Sequence, residues 1–236
     1  MRINKFMATC GVASRRKCDE LIQMGHVKIN ANICTKVGVQ IDPEVDLVTV
    51  DDKPIRLTNT YVYYMLNKPC NVVTTMSDPH GRPTVMDYIP QTKYRLFPIG
   101  RLDYNTSGLL LFTNDGDVAQ KLLHPSFEFG KTYIVEIRGE IDNNAINQLR
   151  NGVDIGDFVT SPAVVEVLDS KRNTTTIKIV IHEGKNRQVR RMFDAVGHKV
   201  VRLQRVAIGK IKLGDLPIGK YRELTKDEIA YIKTSN

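Results

Sequence analysis

"GRLDYNTSGLLLFTNDGDVAQKLLH", residues 100–124, decides how this chain is read. Polar turn formers, Asn105-Thr106-Ser107-Gly108, give way to an unbroken apolar run, Leu109-Leu110-Leu111-Phe112. Four apolar residues in a row bounded by turn formers predict a buried strand, not an alternating surface strand. "DVAQKLLH" then predicts a helix, with Asp117 as its N-cap and Pro125 just past its end. Gly108 allows a close approach of backbone to backbone or to a ligand. One carboxylate, Asp103, stands ahead of the strand with Arg101 two residues before it.

Downstream, "KTYIVEIRG" (131–139) alternates and places Tyr133, Val135 and Ile137 on one face. A helix is predicted from Asp142 to Gly152, then strands over "AVVEVL" (163–168) and "TTTIKIVIHEG" (174–184). In "RQVRRMFDAVG" (187–197), Val189, Met192, Phe193 and Val196 fall at i, i+3, i+4 and i+7, the stripe of an amphipathic helix ending at Gly197. Thr225 and Glu228 form a capping box for a last helix. Upstream, "YVYYML" (61–66) is a strand. Before it, two short helices end at Gly11 and Gly25, the second capped by Ser14 and carrying Cys18, Leu21 and Ile22 as its stripe. A hairpin around Asn30-Ala31-Asn32 and a strand over "DLVTV" follow. The polar, proline-containing "DDKPIRLTNT" reads as a linker. Strands and helices without regular βαβ alternation predict an α+β protein, with domains at 1–50 and 61–236 joined by a linker at 51–60.

Hydrophobic residues make up 42% and charged residues 25%, enough for an ordinary buried core. No stretch approaches 18 consecutive apolar residues, so no membrane span is expected. The opening "MRINKFMATCG" lacks an apolar signal region, which predicts cytoplasmic residence. Cys10, Cys18, Cys34 and Cys70 show no CxxC spacing and read as free thiols. The net charge of +8 is uneven. Residues 185–212 hold nine cations against Asp194 alone, and residues 1–41 hold seven against Asp19 and Glu20. Two separated basic segments predict a polyanionic partner, nucleic acid, bound with steep salt dependence.

Familiar site types fail. His182-Glu183 is followed by Asn186 where a zinc protease needs its second histidine, and the other histidines are scattered. GxxxxGK[ST], GxGxxG and GxSxG are absent, and "NDGD" lacks the spacing of a calcium loop. No metal and no cofactor are expected. Residue type alone leaves Asp103, Tyr133 and Arg190 open between function and ordinary roles as a turn carboxylate, a core tyrosine and a solvated arginine.

"GRLDYNTSGLLLFTNDG" (100–116) resembles the catalytic-aspartate motif of RNA pseudouridine synthases, specifically the RsuA-type ribosomal RNA branch. "LNKP" (66–69), "KTY" (131–133) and "EGKNRQVRRM" (183–192) occur in that family's order and spacing, and residues 2–30 resemble the S-four-type RNA-binding domain that often precedes it. "HPS" (124–126) is most similar to the large-subunit (RluB-like) members. One departure is Cys70-Asn71, where the family usually has glycine two residues after the proline; asparagine is the next best residue for a left-handed backbone.

The resemblance implies a small N-terminal α-β domain and a catalytic domain with a mixed, mainly antiparallel sheet flanked by helices. It implies isomerisation of a specific uridine to pseudouridine in ribosomal RNA, 23S rRNA in particular, without a cofactor. Asp103 would be the essential carboxylate, Arg190 its cationic neighbour, and Tyr133 the residue packed on the flipped base and available to take its proton. RNA contacts are expected from Arg101, Asn105 and Thr106, from Lys185, Arg187 and Arg191, and from Arg15, Arg16 and Lys17 at a helix start. The implied partner is ribosomal RNA or an assembling ribosomal subunit, met by a monomer with no membrane attachment. Three alternatives stand beside this: a 16S rRNA synthase, a non-catalytic RNA-binding assembly factor, and a nucleosidase using Glu183 as the second carboxylate that glycosidases need.

Overall fold

Two short helices and two tight hairpins account for most of residues 1–54. The computed structural model describes residues 1–57, 60–124 and 129–234. It divides into two compact units: Met1–Val62 with Gln91–Phe97 and Thr113–Gly116, and Tyr63–Pro90 with Pro98–Phe112 and Asp117–Asn236. Pro125 and Ser126, on which the expected helix stop and the end of "HPS" fall, lie outside the described residues, as do Thr58 and Asn59 of the expected linker.

In the first unit, α1 (Ile3–Thr9) stops as expected, with Gly11 at φ +84°, and α2 (Arg15–Gln23) begins where the Ser14 hydroxyl accepts the Lys17 N–H at 3.2 Å. Asn4 donates to both oxygens of Asp19, tying α1 to α2. The strands β1 (Val27–Ile29), β2 (Asn32–Ile33), β3 (Val48–Val50) and β4 (Lys53–Pro54) form a sheet in the order β2-β1-β3-β4. Asn30 and Ala31, both at positive φ, make the first hairpin turn. Asp51 and Asp52 make the second, pairing Val50 with Lys53. Residues 51–54, expected in a linker, are therefore a hairpin, because two aspartates tolerate the left-handed turn that returns the chain. Ile3, Phe6, Met7, Cys18, Ile22, Val27 and Val48 build the core of this unit.

The second unit is organised by one nine-stranded sheet. Its strands are β5 (Tyr63–Lys68), β6 (Phe97–Ile99), β7 (Ser107–Thr113), β8 (Lys131–Arg138), β9 (Val164–Lys171), β10 (Thr174–Ile181), β11 (Val200–Ile208), β12 (Ile211–Lys212) and β13 (Tyr221–Glu223). The order is β13-β5-β7-β11-β8-β10-β9, with β6 on β7 and β12 on β11. β7 and β11 run parallel, whereas β8, β9 and β10 pair antiparallel, as do β8 with β11 and β5 with β13. Leu109, Leu110, Leu111 and Phe112 are fully buried, which is why the strand reads as a continuous apolar run. Burying side chains of this size contributes roughly 1.5–3 kcal/mol each.

Gly108 sits at φ +107°, and a Cβ there would lie 2.2 Å from the Arg205 carbonyl oxygen, so glycine lets β7 and β11 approach. β8 alternates as expected, with Tyr133, Val135 and Ile137 buried. The helices are α3 (Gly116–Leu123), α4 (Asn143–Asn151), α5 (Gln188–Ala195) and α6 (Lys226–Thr234). α3 starts one residue before Asp117, so that carboxylate lies in the first turn and not at the cap. Asp142 caps α4 through the Ala145 N–H, Gly152 ends it, and the Thr225/Glu228 box opens α6 as expected. Among the described residues no helix is long and apolar enough to cross a membrane. The four cysteines are free thiols, and burial pushes that of Cys10 up to about 11.

Candidate active site

Asp103 lies in the loop between β6 and β7, at the edge of a cavity of about 630 Å³ that is also lined by Tyr133, Arg101, Arg205, Glu183, Leu111 and Leu203. What fixes the loop is its backbone. The Leu102 carbonyl accepts from the Thr74 hydroxyl (2.7 Å), which also accepts the Leu102 N–H, and the Asp103 carbonyl accepts from Lys68 Nζ (3.2 Å) and the Thr106 N–H (3.0 Å). The Tyr104 carbonyl accepts the Asn71 N–H (2.8 Å), that of Asn105 accepts from Arg190 Nη2 (2.8 Å), and that of Thr106 accepts from Lys68 Nζ (3.0 Å). Five consecutive carbonyls are thus engaged, by donors from β5, the segment after it, and α5. The Asp103 carboxylate itself is in no hydrogen bond or ion pair with a described residue. The chain is clamped and the side chain is left free to act.

Lys68 is fully buried, and its three bonds go to carbonyls of Pro69, Asp103 and Thr106. Burial pushes its pKa down to about 8, against the opposing pull of Cys70 and Asp103. Lys68 belongs to the "LNKP" stretch, and its only other sequence signal is that a lysine closes an apolar strand. Asn71 takes φ +62°, so the residue in place of the usual glycine does adopt the left-handed turn, and its N–H reaches the loop.

Arg190 departs from expectation. It is buried, donating Nη2 to Asn105 and Nη1 to the Val200 carbonyl (3.3 Å), and makes no ion pair with Asp103. Nη1 and Nη2 go to carbonyls and the buried Nε has no hydrogen-bond partner among the described residues, so Arg190 acts on the turn that carries Asp103 while its charge still lies within electrostatic reach of the carboxylate. Desolvation first, then Arg187, lowers its own pKa. Tyr133 is buried on the cavity wall.

The expected RNA-contacting residues divide. Arg101, Asn105, Lys185 and Arg187 are exposed, and Arg101, Lys185 and Arg187 line the cavity. Thr106 is 2% exposed and its carbonyl is taken by Lys68, yet it also lines the cavity. Arg191 is spent on Asp157 and the Ile155 carbonyl, which fasten α5 to the neighbouring loop. In the first unit Arg15 and Arg16 are exposed at the start of α2, whereas Lys17 pairs with Glu20. The basic block 185–212 is not one electrostatic track either: β11 runs through it, and Arg205 is 4% exposed, with Nε bonded to the Leu109 carbonyl (2.8 Å).

Glu183 shares the cavity with Asp103 but accepts bonds from the Ser161 N–H (2.7 Å) and Gln188. Desolvation works to raise its pKa, and these hydrogen bonds outweigh it and lower the carboxyl below its ordinary value. Leu111, on the buried strand β7, lines the cavity directly. Among the described residues no group of three or more His, Cys, Asp or Glu side chains is placed to hold a metal.

Comparison with known proteins shows the family to which these two regions of the chain are similar. Residues 62–195 match the RNA pseudouridylate synthase family model and residues 1–48 match the S4 domain. An uncharacterized RNA pseudouridine synthase of Aquifex aeolicus is 42% identical over 98% of this chain and 93% of its own length. The ribosomal large subunit pseudouridine synthase B of Bacillus subtilis is 42% identical over 98% of this chain and 95% of its own. A crystal structure of a pseudouridylate synthase superposes with a TM-score of 0.71 at 33% identity, over 98% of this chain and 99% of that one. This chain belongs to the RNA pseudouridylate synthase family, with an S4 domain preceding the synthase domain.

Proposed function

We propose that this enzyme isomerises one uridine of ribosomal RNA, in the large subunit, with Asp103 as the essential carboxylate. The observation that carries the assignment to Asp103 is an unengaged carboxylate on a turn whose five carbonyls are all held, at the rim of a cavity with Tyr133 on its wall. The large-subunit assignment rests on the similarity to the Bacillus subtilis synthase.

The chemistry is an internal exchange. The bond from uracil N1 to ribose C1′ breaks, the base turns, and C5 bonds to C1′; the C5 proton leaves and N1 gains one, so atoms and charge balance. Asp103 either adds to C1′ or removes the C2′ proton to give a glycal, and both routes use the same free carboxylate. Lys68 and Arg190 are positioning residues in this reading, because they hold the loop by its backbone and do not touch the reacting group. Tyr133, Leu111 and Leu203 wall the cavity in which the detached base must be retained and from which water must be kept. Glu183, bound and ionised, is unsuited to the protonated general acid of a glycosidase, which favours isomerisation over hydrolysis. The S4 domain, with Arg15 and Arg16 exposed at a helix start, supplies a second anchor for RNA.

Because C5 exchanges its hydrogen for carbon, RNA labelled with tritium at uridine C5 reports the reaction by releasing it. Release from large-subunit RNA but not small-subunit RNA is the expected result. Release from small-subunit RNA alone would move the substrate, and free uracil in the supernatant would replace isomerisation with hydrolysis.

A further inference from the structure

A second cavity of about 440 Å³ adjoins the first, and the two share Arg101, Leu102, Asp103 and Arg187 in their walls. Both volumes fall in the range of small-molecule sites, roughly 300–1,000 Å³. A nucleotide placed in the first cavity is tethered through its phosphates to its neighbours, so the strand must leave across a wall. This shared wall carries two exposed guanidiniums at the point where a linking phosphate would cross. Arg187 holds its place at φ +48°, an uncommon conformation for a residue with a side chain, immediately before α5.

The second cavity also contains an aromatic surface. Tyr104, the residue after Asp103, is 43% exposed and lines it, on a backbone fixed by the Asn71 N–H. An exposed tyrosine on a rigid turn among arginines has the chemistry of a stacking platform for an unpaired base. Another part of the cavity's lining is preformed. Asp78 accepts the N–H groups of His80 and Arg82 and is forked by the Arg82 guanidinium at 3.2 and 2.7 Å, and Val73 and Thr84 close the loop's base as a bridge. Arg82 holds the Asp78 carboxyl well below the usual carboxylate range.

We propose that this second cavity receives an unpaired nucleotide adjacent to the target uridine, its base stacked on Tyr104 and the linking phosphate held by Arg101 and Arg187. The inference rests on the first cavity being the site of the target. It makes Tyr104 a determinant of which uridine is accepted, since the enzyme reads a neighbour that can leave its stack.

The test uses the full chain and a short RNA carrying the mapped target, with the nucleotide on its 5′ or 3′ side replaced in turn by an abasic ribose. With the wild-type enzyme, the abasic change on one side should lower kcat/KM about 10-fold through KM, the scale of one lost stack. Tyr104→Ala should lose a similar factor on intact RNA and nothing further on the abasic RNA, while Tyr104→Phe retains wild-type behaviour. Losses that multiply would put the base elsewhere, and kcat/KM unchanged within about two-fold for both changes would remove the subsite. Since Tyr104 is exposed, its melting temperature should match the wild type. A wild-type enzyme that releases no tritium from any ribosomal RNA would overturn the assigned function and the subsite together. An active enzyme indifferent to Tyr104 would overturn the subsite alone.

Discussion

Asp103 and Glu183 line the same cavity and are opposite in construction. Around Asp103 the backbone is held at five consecutive carbonyls and the carboxylate bonds to none of the described residues. Around Glu183 it is the carboxylate that is held, by Ser161 and Gln188. A carboxylate whose lone pairs are occupied organises a loop; one left open on a fixed backbone can attack or take a proton at little cost in reorganisation.

The sharpest way to break this contrast is to neutralise each side chain in turn. Asp103→Asn should lower the single-turnover rate about 10⁴-fold, the upper end of what one positioned base contributes, with an unchanged melting temperature. Glu183→Gln should do the reverse, costing about 1–2 kcal/mol of stability and less than about 10-fold in rate. Equal kinetic losses would erase the distinction. Next in size, Lys68→Met strips the shared donor from three carbonyls and should cost about 3 kcal/mol by denaturant titration, with activity falling alongside. Gly108→Ala forces a Cβ against the Arg205 carbonyl and should cost about 2–3 kcal/mol, read the same way.

The smallest effect is a pH dependence of opposite sign in rate and stability. Lys68 titrates near 8 in the folded protein against an ordinary value of 10.5, so above about 8 it loses the charge and a donor that hold the Asp103 loop, and kcat/KM should fall. Between those values the unfolded chain binds a proton the folded chain has lost, so this group's contribution to stability rises with pH. A rate that stays flat to about pH 10 would contradict the role given to Lys68.

Much of this was legible in the sequence because local rules set it. The caps at Ser14, Asp142 and Thr225, the alternation of β8, the apolar run of β7 and the left-handed turn at Asn71 all follow from single residues and short periods. What escaped depends on partners distant in the chain. β11 was hidden because Arg202, Gln204 and Arg205 interrupt its apolar pattern, although Leu203, Arg205 and Ala207 are buried on a strand flanked by β7 and β8. Charge counting placed Arg190, Arg191 and Arg205 in a basic segment that predicts a polyanionic partner, and each bonds backbone or a carboxylate inside the unit. The expected Arg190–Asp103 contact was right about the neighbourhood and wrong about the atoms. Guanidinium donors satisfy buried carbonyls as readily as carboxylates, and only the fold decides which.

The central claim is that Asp103 carries the isomerisation of a ribosomal uridine. Pseudouridine mapping of ribosomal RNA by carbodiimide treatment and primer extension, in cells lacking this protein and complemented with wild type or Asp103→Asn, tests it most directly. The account predicts that one large-subunit pseudouridine disappears and returns only with the wild type. Its return with Asp103→Asn, or an unchanged pattern in both subunits, would contradict the account.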